Sequence, residues 1–209
     1  MQENFIDTQQ NLTFISKIKK FYESNKFFIY SFVIILIVLF GLSSFYLEKK
    51  EQKRILLSEN YIQAKFYLEK GNNAEALVIL KELTYAKDST YSVLSFFLIL
   101  DQGLVSDNKE ITSMYDHIIE NNKFEKELRN LLIYKKSLFS SNFVSESKLL
   151  EITQPLLKED TMWKPHALLL LGDYFISKGE NIKAIEFYQE ILSIKNLQQI
   201  FYDQAKAQL

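Results

Sequence analysis

Hydrophobic and polar positions along this chain fall into three regimes. Residues 27–47 read FFIYSFVIILIVLFGLSSFYL, 21 positions without a charge, bracketed by Lys26 and Glu48. At the helical rise this run reaches roughly 32 Å, about the hydrocarbon thickness of a bilayer. Tyr30 near one end, and Phe45 and Tyr46 near the other, stand where aromatic rings favour the headgroup region. A buried core helix rarely stays uncharged on every face for that length, so the pattern predicts a transmembrane helix. A cleaved signal peptide is the competing reading, because Gly41 and Ser43 form a small pair inside the run. The long leader before the run, and the apolar residues that continue past Ser43, favour a retained anchor.

Upstream, residues 12–26 carry Phe14, Ile15, Ile18, Phe21 and Tyr22 at helical spacing with lysines between them. That is the pattern of a short amphipathic helix on a membrane surface, and equally that of a solvated leader. Downstream, no Gly or Pro occurs before Gly71, and EKKEQKR consists of helix formers with opposite charges side by side. The membrane helix is expected to continue into the next domain as a stiff stalk.

The third regime has the apolar period of stacked helices and an internal repeat. After Pro165 come Leu168, Leu171, Gly172, Phe175, Gly179, Ala184 and Tyr188. An earlier unit keeps the frame with Ala64, Tyr67, Gly71, Ala76 and Leu80. Small Gly172 and Ala184 allow two antiparallel helices to approach, Gly179 can take the left-handed conformation that ends the first helix, and Phe175 and Tyr188 fill the space between. Gly71 and Gly179 lie 108 residues apart, with room for about two further hairpins between them.

Those hairpins are degenerate. Val93, Leu94, Phe96, Phe97 and Leu100 mark one helix, and Ile111, Met114, Tyr115, Ile118 and Ile119 its partner. Leu128, Leu131, Leu132, Tyr134 and Leu138 begin the next, followed by Val144, Leu149, Leu150 and Ile152 until Pro155 is expected to disturb the helix. Residues 197–209 predict a closing helix with Ile200, Phe201 and Ala205 inward, and Asp203, Gln204 and Lys206 outward. The expected fold is all-α: one transmembrane helix followed by a tetratricopeptide-like α-solenoid of about four helical hairpins. Its organisation is a leader over residues 1–26, the span over 27–47, and the repeat domain over 48–209 with a C-terminal capping helix.

Composition narrows the function. With 25 basic and 26 acidic residues there is no global field to gather nucleic acid, and with no cysteine there are no disulfides, thiolate metal sites or thiol nucleophiles. Five glycines and two prolines suit long helices with short connections. His117 and His166 are far apart in sequence, and no Gly-rich phosphate loop, nucleophile elbow or zinc spacing occurs. No enzyme, cofactor, metal, nucleic acid or small-molecule substrate is expected. Charge leaves orientation open: Lys17, Lys19, Lys20 and Lys26 before the span balance Lys49, Lys50, Lys53 and Arg54 after it.

The basic-aromatic leader KIKKFYESNK, the single span, and the closing stretch PLLKEDTMWKPHALLLLGDYFISKGENIKAIEFYQEIL together resemble the ancillary SecYEG translocon subunit family, YfgM-like inner-membrane proteins of Gram-negative bacteria. Trp163, Ala167, Leu171, Gly172, Asp173, Gly179, Ala184 and Tyr188 carry the most specific part of the resemblance, whereas residues 84–150 match in pattern only. The resemblance implies an N-terminus in the cytoplasm, a helical domain in the periplasm, and a place beside the Sec translocon from which exported proteins pass to periplasmic chaperones. In tetratricopeptide arrays the first helix of each hairpin lines a concave groove. Carried onto this chain, that pattern points to Ser58, Tyr61, Lys65 and Leu68, and to His166, Leu169, Asp173 and Ile176, as protein-binding residues; packing between repeats is the other reading of the same positions. A structural scaffold for envelope assembly or cell division is the alternative function, and a membrane-bound enzyme of unrecognised type the remaining one.

Overall fold

A computed structural model describes residues 3–158 and 161–209, with side chains from Lys19 onward apart from Lys20, Ile29 and Val33. Every regular element among the described residues is helical: α1 (Glu3–Glu69), α2 (Asn73–Thr84), α3 (Tyr91–Asp101), α4 (Asn108–Asn121), α5 (Lys126–Ser140), α6 (Glu146–Lys158), α7 (Lys164–Ser177), α8 (Asn181–Leu192) and α9 (Gln199–Ala207). The chain forms two compact units, Met1–Leu56 and Leu57–Leu209, and α1 contributes to both.

In the first unit α1 carries the uncharged run, and its large side chains lie open: Phe27, Phe28, Phe32, Ile37, Phe40 and Leu42 are all more than 60% exposed. None of the described residues of this run is buried against protein, and the helix is long and apolar enough to cross a membrane. Near its start the hydroxyls of Tyr22 and Tyr30 are hydrogen-bonded to one another, with the rings edge to face at 6.2 Å. Of the apolar positions expected on the leader, Phe21 and Tyr22 are exposed; the side chains of Phe14, Ile15 and Ile18 lie outside the described residues.

The second unit is a succession of packed helices with two hydrophobic clusters. One gathers Ala64, Leu80, Phe96, Ile99, Met114 and Ile118; the other gathers Leu168, Leu171, Phe175, Ala184, Tyr188 and Ile191, closed by Phe201 and Ala205 of α9. These residues recur at three- and four-residue steps along their helices, which brings them to one face of each.

The turns explain why the chain reverses where it does. Gly71 has φ +76° and Gly179 φ +74°, a region that costs a side-chain-bearing residue about 1–2 kcal/mol. After α1, Gly71 N–H donates to the Leu68 carbonyl and Asn72 N–H to the Tyr67 carbonyl, both at 2.9 Å. After α7, Gly179 N–H donates to Ile176 and Glu180 N–H to Phe175, again at 2.9 Å. Each pair of bonds is the Schellman closure of a helix C-terminus. Gly103, with φ +58°, ends α3 in the same way through Gly103 N–H to Leu100 and Leu104 N–H to Ile99. The reversal between α2 and α3 is set by a side chain: the Asp88 carboxylate accepts from the Thr90 and Tyr91 N–H groups at 3.0 and 2.9 Å, satisfying donors at the start of α3.

Two expectations are corrected. Pro155 does not end α6, which continues to Lys158. The lost bond falls on the Glu151 carbonyl, on the exposed side of the helix where water can serve it, while fully buried Leu156 holds the last turn to the core. Ile200 is not inward: it is 59% exposed, because Phe201 and Ala205, one turn apart, take the buried stripe of the short α9. Asp203, Gln204 and Lys206 are exposed.

Candidate functional site

A cleft of about 740 Å³ in the second unit lies between α5, α7 and α9. It is built from α7 outward. Pro165 sits in the first turn of α7, where its missing N–H has no helical partner to forfeit, and the Thr161 hydroxyl accepts from the Trp163 N–H at 3.3 Å just before it. Leu168, Leu171 and Phe175 turn into the core, which leaves His166, Leu169 and Asp173, at i, i+3 and i+7, to face the cleft. Tyr134 and Leu138 of α5 supply the second wall, and Ile200, Phe201, Gln204 and Gln208 at α9 the third.

Aromatic groups fix one end. The ring of Tyr134 stacks on that of Trp163 at 5.7 Å, and His166 meets Tyr134 at 5.5 Å and Phe201 at 4.6 Å, both edge to face. A hydrogen bond of 3.2 Å from His166 Nδ1–H to the Met162 carbonyl orients the imidazole.

Asp173 is the one charged side chain in the lining. Its Oδ1 accepts from the Tyr188 hydroxyl at 2.8 Å. Tyr188 belongs to α8, yet its ring crosses α7 at Gly172, where no side chain blocks the path. Burial first, then the hydrogen bond and the charge of Asp173, push the Tyr188 phenol well above its ordinary range. Burial and the same carboxylate push Tyr134 up as well. Both phenols are therefore neutral donors at physiological pH, and the cleft offers apolar surface, amide and hydroxyl groups, and one carboxylate.

Of the eight groove residues expected from sequence, the cleft brings together His166, Leu169 and Asp173. Ile176 is 40% exposed, one turn beyond the lining. Ser58, Tyr61, Lys65 and Leu68 lie elsewhere: Tyr61 and Leu68 pack against the first cluster, the Tyr61 ring lying 6.0 Å from that of Tyr91, while Ser58 is half-buried and Lys65 exposed. The walls from α5 and α9, with Met162 at the rim, complete the cleft without having been singled out as binding residues. Of these only Phe201, on the apolar stripe of α9, carried a sequence signal; the others depend on how the three helices pack. Among the described residues no group of three or more His, Cys, Asp or Glu side chains stands close enough to share a metal ion. No protein-family model, curated protein or solved structure matches the chain.

Proposed function

We propose that this protein is a membrane-anchored protein-interaction adaptor whose role resembles that of the ancillary subunit of the Sec translocon, passing exported proteins to periplasmic chaperones. In this reading the apolar stretch of α1 is a retained single span of the inner membrane, with the N-terminus in the cytoplasm. The second unit is then a tetratricopeptide-like solenoid in the periplasm, α9 its capping helix. Tethering holds the cleft near its clients and raises their effective concentration, so individually weak contacts suffice.

The observation that carries the reading is the α5–α7–α9 cleft, an open, largely apolar concavity with an aromatic end, whose central helix α7 ends in the same closure as α1 and α3. Such a surface suits breadth of contact with peptide segments.

The experiment is site-specific photo-crosslinking in cells, with the probe at Leu169 in the cleft and, as a control, at Ile182, which is 80% exposed on α8. Translocon subunits, periplasmic chaperones and exported proteins are expected from Leu169 and not from Ile182. Recovery of one stoichiometric envelope-assembly or cell-division partner would replace this reading with the scaffold. An alkaline phosphatase fusion after Leu209, active only outside the cytoplasm, tests the orientation; an inactive fusion overturns the periplasmic placement.

A further inference from the structure

We propose that the cleft receives an apolar peptide segment carrying one basic side chain, whose cation pairs with Asp173. The inference rests on the adaptor reading and names the chemistry of its client.

Charge complementarity selects the occupant. Leu138, Met162, Leu169 and Ile200 offer apolar surface, whereas Asp173 alone is charged. The cations nearest in sequence are already engaged: Lys164 pairs with Glu190 at 3.0 Å, Lys183 with Glu146 and Glu180 at 2.9 and 2.6 Å, and Lys178 lies over the Tyr174 ring. Among the described residues Asp173 forms no ion pair, and its hydrogen-bond partner is the neutral Tyr188 hydroxyl. The carboxylate is also oriented in advance. Tyr188 holds Oδ1 from beneath, and the ring reaches that position only because residue 172 has no side chain. A pre-set acceptor loses little freedom when a ligand arrives. The Tyr134 ring beside it adds a surface on which a lysine or arginine can rest, and the α9 amides Gln198, Gln204 and Gln208 can serve peptide N–H and C=O groups. An acidic residue at the same place meets repulsion. The position that corresponds to Asp173 in the first hairpin, 108 residues earlier, is Lys65, so the preference belongs to this end of the unit.

The test uses the full chain in nanodiscs of zwitterionic lipid, with empty discs as blank, and three fluorescein-labelled peptides read by anisotropy. These are Ser-Leu-Phe-Lys-Leu-Phe-Ser and its counterparts with Gln or Glu in the central place. The Lys peptide is expected to bind about tenfold more tightly than the Glu peptide. Asp173→Asn keeps an acceptor for Tyr188 and removes only the charge, so it should level the three affinities. Asp173→Lys should invert their order, with unchanged circular dichroism in both variants. Equal affinities on the wild-type chain, all lost in Leu169→Glu, would overturn the basic-residue inference and leave the adaptor reading standing. No binding of any peptide would overturn both.

Discussion

The ring of Tyr188 lies against the backbone of α7 at Gly172 so closely that a β-carbon there would stand 2.5 Å from Cε1 and 2.7 Å from Cζ. Both atoms belong to a fully buried ring whose hydroxyl is fixed on Asp173, so the ring has nowhere to withdraw. In the first hairpin the corresponding pair is Ala64 and Leu80, both fully buried. Glycine faces tyrosine in the one hairpin, and the other places an alanine and a leucine in one buried cluster.

Gly172→Ala is therefore expected to destabilise the second unit by about 1–3 kcal/mol of overpacking, less the gain of up to ~1 kcal/mol that alanine brings to a helix interior. Adding Tyr188→Leu, which recreates the pairing of the first hairpin, should recover part of the loss. Urea unfolding followed by the fluorescence of Trp163, the only tryptophan, reads both variants. A double variant no better than the sum of the singles would contradict the contact.

Gly71→Ala and Gly179→Ala should each cost about 1–2 kcal/mol, because both positions hold left-handed backbone while a β-carbon at either meets open space. The penalty is conformational, so asparagine at these positions should cost less than alanine. Thermal unfolding of the four variants checks the order.

Much of this architecture was legible because it is local. Gly71 and Gly179 announce themselves by type and spacing, and the helices around Phe96, Met114, Leu132 and Leu149 by their period. Gly103 closes α3 with the same two bonds, but four residues, Leu104 to Asp107, separate it from α4, where Asn72 alone separates Gly71 from α2. The longer loop takes it out of the repeat frame. The turn after α5 has no glycine at all: Val144 N–H reaches the Ser140 carbonyl, and the Ser141 hydroxyl donates to Leu138. The face of α7 bearing His166, Leu169 and Asp173 follows from arithmetic along one helix. That Tyr134, Ile200 and Gln204 stand opposite depends on how three helices pack, which no local pattern encodes.

Alkaline stability should report two buried phenols. Burial raises Tyr115 above its ordinary value of 10.0, and burial together with Asp173 raises Tyr188 above the same value. A group whose pKa is higher in the folded chain contributes stability that is complete below the unfolded value and is lost as pH rises past it. The second unit should thus be stable to about pH 10 and weaken above it. Absorbance at 295 nm should show two tyrosines ionising only with unfolding, and Tyr115→Phe and Tyr188→Phe should each remove one.

The span gives a separate prediction. In the pair Ile35→Arg and Leu39→Arg, each arginine costs about 2.5–3.5 kcal/mol near the middle of a bilayer-crossing helix. The native chain should resist carbonate extraction and the paired variant should be released. Native protein in the supernatant would argue against a membrane-crossing α1.

A reversal sealed by two amide-to-carbonyl links inside its own hairpin asks nothing of the residues on adjoining helices. Substitutions on the outward faces of neighbouring helices therefore leave the stops after α1, α3 and α7 in place.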